Sequence, residues 1–432
     1  MNLPLDRRQF LKRSGWIGAG LLAAPHLPTL RSAESPGAEK QLSVGVMGLG
    51  RGMDHVAALS AIPGVMISYV CDVDAQRLAK GAQLVADKQS APPKSVSDFR
   101  RILDDPTVDA LTIAGPNHWH APATILACAA GKHVYVEKPG SHNAREGEWM
   151  VMAARKHKRV VQMGNQRRSW PGVIEMIEKL RGGIIGRVLY SRCFYTGARG
   201  LIGRGKPVPV PPHLDFTLWQ GPAPERPYVD NLVPYNWHWR WHWGGGELIN
   251  NGVHALDLVR WGLGVEFPAR VTFNGGRYHF EDDQETPDTG TAVFDFGSCG
   301  AAWDNSSCHP RSQERLPFVA FYGEGGSVTQ DGPGYKVYDL KGAEVSAGSG
   351  PAGDKVHFEN FVAAIREGAK LNSEIEEAQK GTLLCHLGNI AYRTEHTLRI
   401  DPKTGKILAD EAAAQFWGRE YRPGWESMLV KA

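Results

Sequence analysis

Short apolar runs alternate with helix-like segments through the first part of the chain. The runs occupy residues 42–47, 65–70, 108–114, 133–136 and 160–163. Each run is too short for a typical helix and is bounded by glycine, proline or polar residues. Between the third and fourth runs, residues 121–130 have the pattern of a helix that ends at Gly131, a typical C-cap. Strands that alternate with helices predict a doubly wound α/β domain with a parallel sheet over residues 41–165.

Beyond residue 165 the pattern changes to longer alternating runs, at residues 188–195, 270–273, 291–296, 300–303 and 317–322. Alternation of apolar and polar residues favours an antiparallel sheet with helices on one face. Residues 356–367 and 374–387 are expected to form two late helices. We therefore predict that residues 166–432 form a C-terminal α+β domain with a large open, mainly antiparallel sheet. The proline-rich residues 206–227 predict an ordered excursion at the rim of a site.

Residues 1–40 have the pattern of an export signal followed by a linker. Arg7 and Arg8 precede an apolar stretch over residues 16–24, which is short for a helix that spans a bilayer. This order is typical of substrates of the twin-arginine export machinery. We expect an exported or periplasmic protein whose mature part has no transmembrane helix. No clean small-x-small cleavage site precedes Ala33, which leaves a residual N-terminal membrane tether as an alternative.

Composition narrows the class of partner. The chain carries 49 basic and 46 acidic residues, so it has no basic excess with which to neutralise the phosphates of a nucleic acid. Its six cysteines are scattered without the paired spacing of metal-binding motifs, and we predict no metal site. Its 13 tryptophans provide aromatic surface that could stack on a ring-shaped small molecule, although core packing is the default for any one of them.

The first strand runs into a glycine-rich turn that leads into a helix. Gly48 permits a tight turn, Gly50 lets the backbone approach a pyrophosphate, and the N-terminus of the helix offers unpaired amides. Met53 stands where the usual fingerprint has its third small residue. The turn, with Arg51 and Gly52 inside it, is therefore a candidate cradle for a dinucleotide.

The second strand ends at Asp72, at the distance from the glycine turn where an acidic residue binds the ribose hydroxyls of adenosine. Its charge would repel the 2′-phosphate of NADP, so NAD is the expected cofactor. Arg77 on the following helix could partly offset that repulsion, which keeps NADP open.

The remaining strands of this domain also end in polar residues. Asn117 and His120 follow the third strand, Glu137 and Lys138 follow the fourth, and Asn165 follows the last. Because ligands collect at the carboxyl ends of parallel strands, all five are candidate contacts of the cofactor. Lys138 is also the main candidate for a catalytic group, although a strand that ends in solvated charges would give the same local pattern.

A second cluster lies in residues 244–261, where three glycines lead into a helix that is apolar almost all round. Asn250, His254 and Asp257 fall on one stripe at helical spacing, which favours a site face over a satisfied core histidine. Just upstream, residues 236–243 alternate tryptophan with histidine and arginine. We interpret them as a strand with four tryptophans on one face, which serve either core packing or sugar stacking.

With these motifs in this order, the chain resembles the Gfo/Idh/MocA family, that of glucose-fructose oxidoreductase and inositol dehydrogenase. The resemblance covers everything after the export signal and is strongest over residues 116–122, 131–139 and 244–261. It implies an N-terminal Rossmann domain, a C-terminal α+β domain and a nicotinamide cofactor between them. It also implies a homo-oligomer that assembles through the large sheet.

The resemblance also assigns roles to single residues. Lys138 matches the catalytic lysine of the family, and His254 matches the histidine of its Asp-x-Gly-x-His pattern. Asn250 stands at the aspartate position, where a neutral amide can orient a hydroxyl group but cannot relay a proton. We expect His254 to take the hydroxyl proton of a secondary alcohol. Lys138, with a lowered pKa, would share the proton or polarise the carbonyl oxygen.

These residues predict an NAD(P)-dependent oxidoreductase that acts on a CH–OH group of a sugar or cyclic polyol. Two alternatives stay open. One is an NAD-dependent glycosidase that uses transient oxidation and elimination, and the other is a non-catalytic sugar- or nucleotide-binding protein, which Asn250 suggests. Because export would separate the protein from the free nicotinamide pool, we expect a tightly bound dinucleotide that is regenerated in each turnover.

Overall fold

The computed structural model describes residues 41–432. The predicted export signal lies outside the described residues. Among the residues that are described, no helix combines the length and apolar character needed to cross a membrane.

The first sheet is the parallel sheet that the sequence predicts. Its strands are β1 (Leu42–Met47), β2 (Val65–Cys71), β3 (Lys94–Val96), β4 (Ala110–Ile113), β5 (His133–Val136) and β6 (Val161–Met163). They lie in the order β3-β2-β1-β4-β5-β6, and every pairing is parallel. This order brings the ends of β1, β2, β4 and β5 to one edge. The doubly wound arrangement is confirmed, and β3 is an addition to it.

Helices cover both faces of this sheet. The first five are α1 (Gly52–Leu59), α2 (Ala75–Ala86), α3 (Arg100–Leu103), α4 (Asn117–Ala129) and α5 (Ala144–Lys156). A helix from late in the chain, α9 (Lys355–Glu367), also packs here. Its Phe358 and Phe361 lie in the same buried cluster as Val44 and Tyr135, and Phe358 stacks on Tyr135 with 4.1 Å between ring centroids. The chain therefore returns to complete the core of its first sheet.

The second sheet has nine strands and confirms the predicted open, mainly antiparallel sheet. They are β7 (Val188–Thr196), β8 (Arg270–Gly276), β9 (Thr289–Asp295), β10 (Gly300–Ser306), β11 (Val319–Gly323), β12 (Gly326–Asp331), β13 (Gly334–Asp339), β14 (Glu344–Gly348) and β15 (Leu398–Arg399). The order is β14-β13-β12-β11-β7-β10-β9-β8-β15, with one parallel pair, β7 and β10.

The other helices are α6 (Pro171–Arg181), α7 (Phe216–Gln220), α8 (Val253–Leu263), α9 (Lys355–Glu367), α10 (Ile375–Thr394), α11 (Glu411–Ala414) and α12 (Trp425–Lys431). Of these, α8 and α10 pack on each other and on the large sheet. The turn that precedes α8, Leu248–Gly252, is a π turn rather than a regular α-helical one. The glycines thus lead into helical structure from Gly246 as predicted, with a change of pitch at the π turn.

The predicted strand over residues 236–243 is wrong. Asn236–Trp239 form a 3₁₀ turn, and the chain then turns again before Gly244. Trp237 and Trp243 pack in a buried cluster with residues of the proline-rich excursion, whereas Trp239 lies under the guanidinium of Arg199. Trp237 and Trp243 thus share one cluster while Trp239 lies apart from it, and no strand of the described residues pairs with the segment. Packing, rather than a shared stacking face, accounts for these three rings.

Candidate active site

A cavity of about 490 Å³ lies at the edge of the first sheet where β1, β2, β4 and β5 end. The polar residues that line it include Asp72, Asn117 and Lys138 from this sheet, and His238 and Asn250 from the second part of the chain. Leu214, Leu218 and Trp219 of the proline-rich excursion close one wall. The carboxyl end of a parallel sheet, faced by a second layer, is a typical ligand site.

The glycine turn forms the floor of the cavity. Gly48 has φ +84°, and a Cβ there would lie 2.6 Å from the carbonyl oxygen of Ala114. A Cβ on Gly50 would lie 2.8 Å from Nη1 of Arg77. Gly52 does not line the cavity, and it opens α1 with the position of its Cβ 3.1 Å from Val46. Gly52 thus supplies the close helix–strand contact that the fingerprint assigns to its third small residue.

Asp72 lies at the end of β2 and lines the cavity. Its carboxylate accepts hydrogen bonds from the backbone N–H groups of Leu49, at 2.6 Å, and Asp74, at 2.9 Å. These bonds fix the carboxylate beside the glycine turn and leave further lone pairs for a ligand hydroxyl. Burial raises the pKa of Asp72, although the two backbone donors oppose that effect.

Glu137 and Arg51, both predicted cofactor contacts, bond to each other. Arg51 Nε donates to Glu137 at 3.0 Å, and Arg51 Nη2 donates to Asp354 at 2.5 Å, which ties the glycine turn to the start of α9. Glu137 also faces Nε2 of His55, at 3.2 Å, and Nε2 of Gln166, at 3.2 Å. Burial opposes ionisation, but His55 and the charges of Arg51 and Lys138 hold the pKa of Glu137 well below its usual range. Glu137 is therefore an ionised anchor in the lining of the cavity.

Lys138 projects from the end of β5 toward the second part of the chain. Its Nζ donates to the backbone carbonyl of Asn250, at 2.7 Å, and to Oδ1 of the same residue, at 3.0 Å. The π turn of Leu248–Gly252 presents both oxygens to one amine, and such turns are frequent at functional sites. Burial lowers the pKa of Lys138, although the charges of Glu137 and Glu247 oppose it. The structure thus brings together two predicted catalytic residues.

His254 lies on α8, one turn beyond Asn250, and is not among the residues that line the cavity. Its ring is partly exposed, while its Nδ1 is buried and has no hydrogen-bond partner within residues 41–432. Burial, with the charges of Lys138 and Arg167, lowers the pKa of His254 well below its usual value. Asp257, on the same predicted stripe, instead forms a buried bidentate ion pair with Arg168, at 2.7 and 2.8 Å. Only part of the stripe faces the site.

The other predicted contacts differ in what they can offer a ligand. His120 lines the cavity, but its Nδ1 lies 2.6 Å from the carbonyl of Pro139 and its Nε2 lies 2.7 Å from that of Gly115. Both ring nitrogens are thus occupied. Asn117 is buried at the start of α4 and lines the cavity. Asn165 is buried outside the cavity lining, and neither atom of its amide has a partner among the described residues.

Sequence reasoning missed several residues around Lys138. His55 and Gln166 hold Glu137, and Glu247 is a buried carboxylate paired with Arg199 at 2.7 Å. Tyr235 lines the cavity beside His238. A signal was present for Glu247 alone, because a carboxylate within an apolar, glycine-led helix requires a partner.

Two family models match the chain. Residues 42–165 match the Gfo/Idh/MocA oxidoreductase family, NAD-binding Rossmann fold, and residues 217–329 match the GFO/IDH/MocA C-terminal domain. The chain belongs to the Gfo/Idh/MocA family. Its first domain is accordingly an NAD-binding Rossmann fold, in which Lys138 ends β5 and the glycine turn follows β1.

Relatives within the family carry different names. A glycosyl hydrolase family 109 protein of Saccharopolyspora erythraea is 31% identical over 212 residues, which are 44% of this chain and 46% of that protein. The chain thus spans about half of the length of that relative. The uncharacterized oxidoreductase YrbE of Bacillus subtilis is 28% identical over 324 residues, 74% of this chain and 81% of the relative. A structure of levoglucosan dehydrogenase with NADH and levoglucosan shares the fold, with a TM-score of 0.66, 19% identity, and coverage of 83% of this chain and 99% of that one.

Proposed function

We propose that this protein transfers hydride between a nicotinamide cofactor and a secondary alcohol of a sugar or cyclic polyol. The observation that carries the proposal is the position of Lys138. A partly buried amine, held by two oxygens of Asn250, lines a cavity at the nucleotide-binding edge of a Rossmann sheet. A hydroxyl proton must leave when an alcohol is oxidised, and this amine is placed to receive it.

The cavity fits a dinucleotide. The turn from Gly48 to Arg51 brings backbone onto its floor without side chains at either glycine, and Asp72 offers a carboxylate to the ribose hydroxyls. When bound, the nicotinamide ring supplies the hydride acceptor or donor. We infer a preference for NAD because the negative charge of Asp72 opposes a 2′-phosphate, whereas Arg77 at the same wall would reduce that opposition.

Asn250 gives Lys138 a role that an aspartate would not. A carboxylate beside the amine would stabilise the ammonium form, whereas a neutral amide leaves burial as the dominant influence on the Lys138 pKa. The lowered pKa lets Lys138 accept the hydroxyl proton closer to neutral pH. Asn250 positions the amine, while burial and the charge of Lys138 keep the imidazole of His254 neutral.

The decisive experiment is a product panel. One sample of purified protein is denatured, and any released nucleotide is identified by mass spectrometry. A second, native sample is incubated with sugars, polyols and glycosides. The products are quantified directly, because NADH absorbance would miss a reaction in which the cofactor is regenerated. We expect an oxidised or reduced sugar from wild type and none from Lys138→Ala. Lys88→Ala, at an exposed position in the turn after α2 and outside the cavity lining, is the control and is expected to keep turnover. A Lys138→Ala variant that retains sugar affinity and full turnover would contradict the proposal.

An NAD-dependent glycosidase is the second candidate, and the 31% identical glycosyl hydrolase family 109 relative favours it. In that reaction the hydride returns to the sugar within each turnover, so no net redox product accumulates. Cleavage of a glycoside without added cofactor, with no oxidised sugar, would select this candidate. Lys138 would take the same proton in either case.

We also propose export by the twin-arginine route, on the pattern around Arg7 and Arg8. A protein carried across a membrane in the folded state can carry its nucleotide with it, so we propose a tightly bound dinucleotide and a periplasmic location. A homo-oligomer formed through the large sheet remains a prediction. Fractionation of cells that express the tagged protein, followed by nucleotide analysis of each fraction, tests the location and the binding together.

A further inference from the structure

The tryptophan-rich segment contributes a histidine to the cavity. His238 lies on the 3₁₀ turn of Asn236–Trp239 and lines the same cavity as Lys138. Its imidazole stacks on Trp237, with 3.6 Å between ring centroids, and also contacts Tyr235, with 4.4 Å between centroids. These two contacts restrict rotation of the imidazole. His238 is thus held in one orientation at the cavity wall.

One hydrogen bond fixes the tautomer of this histidine. Nδ1 of His238 lies 2.7 Å from the backbone carbonyl oxygen of Tyr235. A carbonyl oxygen only accepts hydrogen bonds, so Nδ1 must carry the hydrogen. In the neutral ring the lone pair is then on Nε2. Burial lowers the pKa of His238 to about 3, helped by the charges of Lys138 and Arg199 and opposed by the hydrogen bond to Tyr235, so the ring is neutral at physiological pH.

Nε2 of His238 is left available for a ligand. Within residues 41–432 this nitrogen has no hydrogen-bond partner. It is also not a fully buried atom, so it keeps surface that a ligand can reach. The other histidines near Lys138 differ. His120 has both ring nitrogens on carbonyl oxygens, and His254 does not line the cavity. His238 is therefore the imidazole of this cavity whose acceptor nitrogen is free.

We propose that Nε2 of His238 accepts a hydrogen bond from a hydroxyl group of the sugar or polyol that reacts beside Lys138. This inference rests on the proposed function and narrows its substrate class to a compound with at least two hydroxyl groups. One hydroxyl meets the amine of Lys138 and a second meets the imidazole. A simple secondary alcohol would leave Nε2 unpaired, and a site built to bind a hydroxyl discriminates against analogues that lack it. His238 would act as a substrate-binding residue.

Two amide substitutions separate the two nitrogens of the ring. His238→Asn places an amide near the position of Nδ1, so it keeps a donor for the carbonyl of Tyr235 but removes Nε2. His238→Gln reaches the position of Nε2, so it keeps an acceptor for the substrate hydroxyl. His242→Gln is the matched control, because the Nε2 of His242 bonds to the carbonyl of Pro224 at 2.9 Å, outside this cavity.

The kinetic test uses the best substrate of the panel and its monodeoxy analogues. We expect His238→Asn to lower kcat/KM about tenfold, mainly through KM, and His238→Gln to recover most of that loss. One deoxy analogue should be poor with wild type and lose nothing further with His238→Asn, because both changes remove the same hydrogen bond. The His242→Gln control should keep the wild-type KM. Equal losses with every analogue in His238→Asn would overturn the inference.

A spectroscopic test does not depend on turnover. In protein labelled with ¹⁵N-histidine, long-range ¹H–¹⁵N spectra report which ring nitrogen of His238 is protonated, with His238→Asn used for assignment. We expect protonated Nδ1 and bare Nε2, and a protonated Nε2 would overturn the inference. Failure of wild type on every substrate contradicts the proposed function, whereas turnover that His238→Asn leaves unchanged contradicts only the role of His238.

Discussion

Replacing Asn250 by aspartate should restore the charge pattern of the family and raise the pKa of Lys138. The side-chain oxygen of Asn250 lies 3.0 Å from Nζ of Lys138. A unit negative charge at that distance, with an effective dielectric constant of about 20, attracts the ammonium by about 5 kcal/mol. Desolvation of the new carboxylate cancels part of this energy. Opposite charges this close usually shift a pKa by about 1–3 units, which we take as the expected rise.

The pH dependence of kcat/KM measures this rise. If Lys138 must lose its proton before it can accept one from the alcohol, kcat/KM increases with pH up to the pKa of Lys138. A higher pKa in Asn250→Asp therefore moves the rising limb to higher pH. At a fixed pH below the wild-type pKa, each unit by which the pKa of Lys138 rises lowers kcat/KM about tenfold.

Asn250→Ala is the matched variant and should change the pKa of Lys138 in the opposite direction. It removes Oδ1 but leaves the backbone carbonyl, 2.7 Å from Nζ, so Lys138 stays anchored. Loss of one acceptor to a charged amine, worth about 1.5–3 kcal/mol, should lower the pKa by about 1–2 units and move the rising limb to lower pH. Shifts of both variants in one direction, or no shift in either, would refute the role given to Lys138 and Asn250.

Three further changes test other parts of the site. Glu137→Gln should lower the free energy of unfolding at pH 7 by about 1.5–3 kcal/mol, because a neutral amide replaces the buried carboxylate that accepts from Arg51. Chemical denaturation measures this loss. The difference from wild type should shrink as the pH falls below 4.5, where the unfolded chain takes up a proton at Glu137 before the folded protein does. Asp257→Asn should lower the free energy of unfolding by about 3–5 kcal/mol, because it breaks the buried ion pair with Arg168. The fraction of this variant that is folded should keep the wild-type KM. Asp72→Ser should improve NADP relative to NAD by about tenfold in binding titrations, and an unchanged ratio would contradict the role of Asp72.

The local signals of the sequence were enough for the first domain. Short apolar runs, the glycine turn and the polar strand ends each depend on residues close in sequence, and Gly48, Asp72 and Lys138 line one cavity as expected. The edge strand β3 was missed because it has three residues, none of them buried. Packing of α9 on the first sheet could not be predicted, since it joins segments that are far apart in the chain.

The site itself was predicted in part. Sequence reasoning placed Lys138 and Asn250 together, but the carbonyl that holds Nζ depends on a π turn, which leaves no periodic signal. Alternation was misleading in the tryptophan-rich segment, because rings buried from successive turns give the same sequence pattern as one face of a strand. The orientation of His238 depends on the 3₁₀ turn of Asn236–Trp239, so it could not be predicted from the sequence.

The central claim is that Lys138 accepts a proton in a nicotinamide-dependent reaction, and the redox state of the bound nucleotide tests it most directly. Wild type and Lys138→Ala are purified, exposed to an oxidisable sugar from the panel, denatured, and analysed for NAD and NADH by mass spectrometry. We predict equal nucleotide content in both proteins, with conversion to NADH in wild type and little conversion in Lys138→Ala. Equal conversion in the two proteins, or no nicotinamide dinucleotide bound even after NAD is supplied, would contradict the account.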